Sequence, residues 1–142
     1  MSDFNKDLIA DMRANGGRPT SGPFLGRDVM ILTVRGAKSG EPREIPLAFS
    51  YQGDHVVVVA SKGGAPTHPA WYHNLVANPE VRVEIFGDDY TARARIATDE
   101  EYEDMYKHHA DLMPGFWEYR QKTSRKIPVI VLERVTAGQR AS

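Results

Sequence analysis

The stretch ASKGGAPTHPAWYHNL at residues 60–75 holds the residue types that could do most chemistry. Gly63-Gly64 lets backbone N–H groups converge on an anion, Lys62 adds a point charge, and Trp71 offers a flat face to a planar ring. Taken alone, such a loop is also an ordinary turn, and it lacks the spacing of a phosphate-binding P-loop. Two other chemistries are poorly served. His68 and His73 are five residues apart, His68 precedes a proline and no third ligand accompanies them, so no metal site is expected. Ser61 sits in Val59-Ala60-Ser61-Lys62-Gly63, without the Gly-x-Ser-x-Gly elbow of a hydrolase. His108-His109 reads as a solvated helix face plus one packing residue.

The charge pattern favours an anionic small molecule over a nucleic acid. Between residues 12 and 43, six bases (Arg13, Arg18, Arg27, Arg35, Lys38, Arg43) stand against two acids (Asp28, Glu41), a local charge of +4. Between residues 78 and 111, ten acids outnumber four bases. A hydrogen bond to an ionised group contributes roughly 1.5–3 kcal/mol, so a basic, glycine-rich region suits a multiply anionic ligand. The whole chain has 142 residues and a net charge of −1, which denies a duplex binder its basic face. With no cysteine, thiolate catalysis, disulfides and Cys-ligated zinc or iron–sulfur centres are excluded.

The elements that must position the loop are mostly strands. Length and a 41% hydrophobic share fit one domain with its own core. It divides into an N-terminal helix and loop over residues 1–27, a barrel over 28–135 and a frayed tail over 136–142. Phe4, Leu8 and Met12 recur every four residues, and so do Asp3, Asp7 and Asp11. That acidic stripe argues for a packing helix rather than a membrane-surface one. No apolar run approaches the ~20 residues of a membrane span and no signal-peptide pattern appears, so a cytoplasmic protein is expected.

Val29–Arg35 reads as a strand. Ile45, Leu47, Phe49 and Tyr51 alternate with Pro46, Ala48 and Ser50, and Gln52-Gly53-Asp54 turns that segment into residues 56–60, which predicts a hairpin. A second hairpin joins Val81, Val83 and Ile85 to Tyr90, Ala92 and Ala94 through Gly87-Asp88-Asp89. Thr98 and Glu101 form a capping box ahead of a stripe of Tyr102, Met105, Tyr106, His109 and Met113. Pro114-Gly115 stops that helix, a short one covers residues 116–122, and residues 127–135 close the fold as a strand. About six antiparallel strands, three or four short helices and no strand–helix–strand alternation fit a closed or partly closed barrel, which removes most sheet edges. The acidic helix offers no apolar patch, and a monomer is expected.

Thr33-Val34-Arg35-Gly36-Ala37-Lys38-Ser39-Gly40-Glu41-Pro42-Arg43, the Pro46-Leu47 pair, residues 60–75 with Asn78-Pro79, and Arg125-Lys126-Ile127-Pro128-Val129-Ile130-Val131-Leu132-Glu133 together resemble the deazaflavin-dependent nitroreductase family. The resemblance spans roughly residues 29–135. It implies a mainly β fold, a split antiparallel barrel with flanking short helices related to flavin-reductase barrels. It also implies coenzyme F420 as the cofactor rather than FMN. Lys38 and Arg43 would meet its phosphate and oligoglutamate tail, while Ala60, Ser61, Lys62 and Gly63 would cradle the phosphate and ring edge. Pro46 and Ala48 would line the groove, and Pro69, Ala70 and Trp71 would close against the deazaisoalloxazine. Met113, Phe116 and Tyr119 would form the acceptor pocket.

The implied reaction is hydride transfer from the reduced deazaflavin to a hydrophobic conjugated acceptor: a quinone, enone, unsaturated lactone or nitroaromatic. Ser61 would stabilise charge developing on the acceptor, and Tyr119 would donate a hydrogen bond or relay a proton. Members active on bulky nitroimidazoles tend to carry several tyrosines where this chain has Met113 and Phe116, so its pocket is expected to be more apolar, with one hydroxyl donor. Two other readings use the same residues. One is a deazaflavin carrier without an acceptor site. The other is an FMN-dependent reductase, for which Lys38, Arg43 and Lys62 are more cations than a single phosphate needs.

Overall fold

The computed structural model describes residues 3–135, with side chains from Asn5 onward. The expectations for residues 136–142 and for the Phe4 side chain lie outside the described residues. The β-branched runs become strands: β1 (Val29–Arg35), β2 (Pro42–Ala48), β3 (Ser50–Gln52), β4 (His55–Val59), β5 (Glu80–Ile85), β6 (Asp88–Ile96) and β7 (Val129–Arg134). All pair antiparallel in one sheet ordered β2-β1-β5-β6-β7-β4-β3. The two edge strands, β2 and β3, are successive pieces of one segment with only Phe49 between them. A sheet whose edges lie one residue apart along the chain has to curl round on itself, and the split antiparallel barrel results.

The single strand expected over residues 45–51 is thereby corrected into two. Pro42–Ala48 pairs with β1, and only Ser50–Gln52 forms the hairpin with β4. Phe49 is buried in the barrel core at the bend between them. Strand alternation then sorts side chains into an inner and an outer layer. Met30, Leu32, Val34, Val56, Val58, Val81, Val83, Ile130 and Leu132 fill the barrel. Their neighbours face outward. Val29 and Ile31 meet Leu8, Ile9 and Met12 of α1 (Asp3–Ala14). Val57, Val59, Val129 and Val131 meet Tyr102, Met105, Tyr106 and Ala110 of α3 (Asp99–Leu112). Fully burying a side chain of this size contributes about 1.5–3 kcal/mol, so burial is what fixes both helices to the sheet.

α1 is a packing helix. Asp11 accepts from the Thr20 N–H at 2.7 Å and hydroxyl at 2.6 Å, which holds its carboxyl below the usual range and anchors the following loop. Arg13 bridges Glu44 of β2 and Glu84 of β5. The capping box of α3 forms, and Arg95 against Glu101 at 2.7 Å holds that carboxyl at about 2. The turn of the second hairpin sits earlier than Gly87-Asp88-Asp89. Phe86 and Gly87, with φ of 49° and 88°, make a two-residue turn between the paired Ile85 and Asp88. A left-handed phenylalanine is uncommon. Here the Arg18 guanidinium lies 3.9 Å from its ring centroid, and Gly17 presses so close that any Cβ there would come within 2.6 Å of the Phe86 backbone.

One helix has no counterpart in the sequence reading: α2 (Ala70–Ala77), which sends Trp71 and Leu75 into the barrel core. α4 (Gly115–Lys122) follows α3 after Pro114. Among the described residues, no helix is long and apolar enough to cross a membrane.

Candidate functional site

β4 delivers the chain to Ala60, whose N–H donates to the Pro128 carbonyl at 2.9 Å. The backbone then changes hand. Ser61 is right-handed at φ −76°, ψ −37°, and Lys62 and Gly63 are left-handed at φ 48° and 64°. Such a change of hand turns successive N–H groups toward one concavity, a nest for an anion. Lys62 and Gly63 stand exposed at its crest, while Ala60, Ser61 and Gly64 are buried. A lysine at positive φ is strained and persists only where its surroundings fix it.

Those surroundings are specific. Gly64, at φ 84°, lies so close to α4 that a Cβ would sit 2.9 Å from the Tyr119 carbonyl oxygen and from Lys122 Cβ, so the loop rests on α4 through a residue without a side chain. On its other side Arg125 gathers the loop. Its Nε donates to the Ala65 carbonyl at 2.8 Å, and Nη2 to that of Ser61 at 2.7 Å. Nη1 reaches the Ala60 carbonyl at 3.3 Å and His68 Nδ1 at 2.9 Å. Since arginine only donates, His68 Nδ1 accepts and the ring proton resides on Nε2. Burial, Arg125 and His73 push the His68 pKa down, which keeps it neutral and its Nδ1 unavailable to a metal. Among the described residues no group of three or more His, Cys, Asp or Glu could hold a metal ion.

Tyr119 is half-buried beside this loop, its ring edge-on to Phe116 with centroids 5.3 Å apart. Met113 is buried at the end of α3. Behind Phe116, at 4.5 Å between centroids, lies His109, fully buried, with Nδ1 2.7 Å from Ser50 Oγ. Burial pushes its pKa down to about 4, and its Nε2 has no partner among the described residues. Pro69 and Trp71 are buried, with the indole packed in the barrel core, and Ala70 is exposed.

Lys38 lies in the β1–β2 turn. That turn is tied to α2, where Asn74 Oδ1 accepts from the Ala37 N–H at 3.0 Å and Asn78 Nδ2 donates to the Arg35 carbonyl at 3.4 Å. Residues directly opposite across a strand pair share a face. Arg43 is opposite inward Val34, whereas Pro46 and Ala48 are opposite outward Ile31 and Val29. The structure therefore gathers Ala60 to Gly64 with Tyr119, ties the turn holding Lys38 to α2, and splits Arg43 from Pro46 and Ala48 across the two faces of β2. Among the described residues Lys38 and Arg43 form no ion pair, as is true also of Arg35, Lys62 and Arg93, whereas Arg13, Arg82, Arg95, Lys107, Arg120, Lys126 and Arg134 do. A backbone nest and cations free of carboxylates both fit a polyanionic ligand.

Sequence reasoning missed Arg125 and Asn74 as positioning residues. No local spacing marks either, because their partners lie 37 to 65 residues away. A cleft of about 520 Å³ lies elsewhere, on the outer face of β1, β5 and β6, and none of the expected site residues lines it.

The family model described as F420H(2)-dependent quinone reductase matches residues 6–134. An F420H(2)-dependent quinone reductase of Mycobacterium tuberculosis is 38% identical over 110 residues, covering 74% of this chain and 72% of its own. The solved structure of an F420-H2 dependent reductase, FDR-A, is 40% identical with a TM-score of 0.70, covering 75% of this chain and 95% of its own. A second solved structure, 36% identical with a TM-score of 0.72 and covering 90% and 98%, is described as a domain-swapped dimer. That assembly does not fit the expected monomer.

Proposed function

From the premise that this chain belongs to the F420H(2)-dependent quinone reductase family and is an F420H2-dependent reductase, we propose that it reduces a flat, apolar, conjugated acceptor, with a quinone as first choice and an enone, unsaturated lactone or nitroaromatic as others. The observation that carries this reading is the nest at Ser61 to Gly63, clamped by Arg125 and with the exposed Lys62 at its crest. When bound, reduced F420 supplies a hydride from C5 of its ring. The nest and Lys62 hold the cofactor's phosphate, and Lys38 and Arg43 attract its glutamates. Pro69, Ala70 and Trp71 bound the ring's groove, whereas Pro46 and Ala48, on the outward face of β2 opposite Ile31 and Val29, fall outside it. Met113 and Phe116 exclude water from the acceptor. Ser61 stabilises the negative charge that develops there, and the Tyr119 hydroxyl donates a hydrogen bond or proton to it. Fixing reactants in such an orientation can contribute ~7–11 kcal/mol to lowering a barrier. A cytoplasmic location belongs to the same proposal.

Titrating tryptophan fluorescence with F420 and, in parallel, with FMN tests the cofactor, and turnover of menadione tests the acceptor. Quenching by F420 at micromolar concentration, with menadione-dependent oxidation of F420H2, is expected. Binding without turnover would make the chain a carrier, and quenching by FMN alone would move it to the flavin branch. Lys38→Ala with Arg43→Ala should weaken F420 about tenfold or more in low salt and less in high salt, with an unchanged unfolding curve, since both charges are exposed. Unchanged affinity would remove both from the groove. Tyr119→Phe should lower kcat while leaving F420 affinity near wild type. A wild-type kcat would take the hydroxyl out of the reaction.

A further inference from the structure

Between the loop and α2 the chain runs through a short segment stiffened by two prolines. Ala65, ahead of Pro66, is extended at φ −62°, ψ 155°, and Pro69 is extended at φ −67°, ψ 154°. Between the prolines, the Thr67 hydroxyl accepts from the Lys62 ammonium at 3.3 Å, and His68 Nδ1 accepts from Arg125 at 2.9 Å. The His68 ring is half-buried against α2, its centroid 4.7 Å from that of Tyr72 and 5.9 Å from that of His73. Aromatic rings on one side and a guanidinium on another leave it little freedom to turn.

The guanidinium of Arg125 meets the carbonyls of Ala60, Ser61 and Ala65 and the ring nitrogen of His68. A carbonyl accepts at every pH. An imidazole nitrogen accepts only while it is unprotonated. Protonated, His68 would present an N–H to Nη1, donor against donor and cation against cation. Nη1 also serves the Ala60 carbonyl at 3.3 Å, so a guanidinium that turns from His68 gives up that bond and tilts its fork away from Ser61.

We propose that His68 is a positioning residue for the cofactor cradle: its neutral Nδ1 sets the plane of the Arg125 guanidinium and so keeps the nest at Ser61 to Gly63 in shape for an anion. This rests on the cofactor reading above. The groups that face His68 are Arg125 from the segment after α4, Tyr72 and His73 from α2, and Lys62 by way of Thr67. Burial, Arg125 and His73 hold its pKa below the ordinary 6.5, so the ring is neutral at pH 7 and takes its proton only in acid. As pH falls through that lowered value the acceptor is lost, and the aim of the clamp with it.

The test compares F420 affinity, read by tryptophan fluorescence between about pH 8 and pH 5, among wild type, His68→Asn and His68→Leu. Asparagine keeps an acceptor oxygen close to the place of Nδ1 and cannot titrate, whereas leucine offers no acceptor. Near neutral pH, His68→Leu should bind about tenfold more weakly than wild type and His68→Asn within about threefold of it. In acid, wild type should weaken steadily relative to His68→Asn, a ratio that cancels whatever the ligand itself titrates. The proposal is overturned if His68→Leu binds like wild type, if His68→Asn fails to rescue, or if that ratio stays level or moves the other way in acid. Imidazole nitrogen NMR of the cofactor-free protein, with His68 assigned by its loss in His68→Asn, should place the ring proton on Nε2; a proton on Nδ1 overturns the proposal as well. If F420 does not bind wild type, the cofactor reading fails, and amide exchange at Gly64 and Ala65, whose N–H groups close the loop onto Ser61 and Lys62, decides His68 alone. Faster exchange in His68→Leu but not in His68→Asn is expected, and equal exchange in all three overturns the proposal. Should His68→Leu fail to fold, the pH profile of His68→Asn and the nitrogen spectrum decide.

Discussion

Arg125→Ala should destabilise the protein by about 3 kcal/mol and weaken F420 binding about a hundredfold. One guanidinium supplies hydrogen bonds to the carbonyls of Ala60, Ser61 and Ala65 and to His68 Nδ1. Removing it leaves the carbonyl of buried Ala60 without its Arg125 donor, while the Ser61 carbonyl keeps only the Gly64 N–H at 3.0 Å, and that desolvation is the larger part of the cost. The left-handed Lys62 and Gly63 then relax, so the nest disperses. Arg125→Lys should recover little, because one ammonium cannot reproduce a planar fork aimed at four acceptors. Urea unfolding and the fluorescence titration read the two effects separately. A folded Arg125→Ala protein with wild-type affinity would show that the loop holds its shape unaided.

Acid should weaken the fold before its ion pairs titrate, through His109. Folded His109 takes up its proton only near pH 4, against 6.5 when unfolded, because burial and His108 disfavour its charged form. As pH falls below 6.5 the unfolded chain binds that proton first. The stability present above pH 6.5 is therefore lost progressively down to about pH 4, by about 3 kcal/mol. His68, also pushed down, adds to the loss in the same direction. Carboxylates act lower. Glu101, at about 2 when folded against 4.5 unfolded, gives up its contribution only as pH falls through that lower window. His109→Asn keeps a group within reach of Ser50 but cannot titrate. It should start about 2 kcal/mol less stable at pH 7, from the cavity it leaves, and show a much flatter curve between pH 7 and 4.5. Parallel curves for the two proteins would place the acid sensitivity elsewhere.

Where structure follows from local period, it was legible. The alternation in β1, β5 and β6, the capping box of α3 and the stop at Pro114-Gly115 each depend on residues within a turn or a strand. The bend at Phe49 was not legible, because Phe49 keeps the alternation and neither glycine nor proline marks the break. Which partner each half finds, β1 or β4, decides it. α2 was hidden for another reason. Its eight residues hold only Trp71 and Leu75 as buried contacts, too few to show a period. The Phe86-Gly87 turn goes against local preference for Gly87-Asp88 because Arg18 and Gly17 pack on Phe86 from outside the hairpin. The residue types of the loop at Ser61 to Gly64 announced an anion, but the clamp that shapes it could not be seen without the fold.

β7 follows the other six described strands in the sequence, yet it occupies the fifth place in the sheet, between β6 and β4. On the ribosome, then, the ladder β2-β1-β5-β6 and the hairpin β3–β4 are synthesised with a gap between them. Until residues 129–134 emerge, β6 and β4 each present an unpaired edge, and the barrel cannot close. Closure is a single late insertion that completes two ladders at once. In a polysome, where neighbouring nascent chains wait with the same gap, a β7 from one copy is complementary to the gap of the next, and exchange between copies competes with self-closure at this one step.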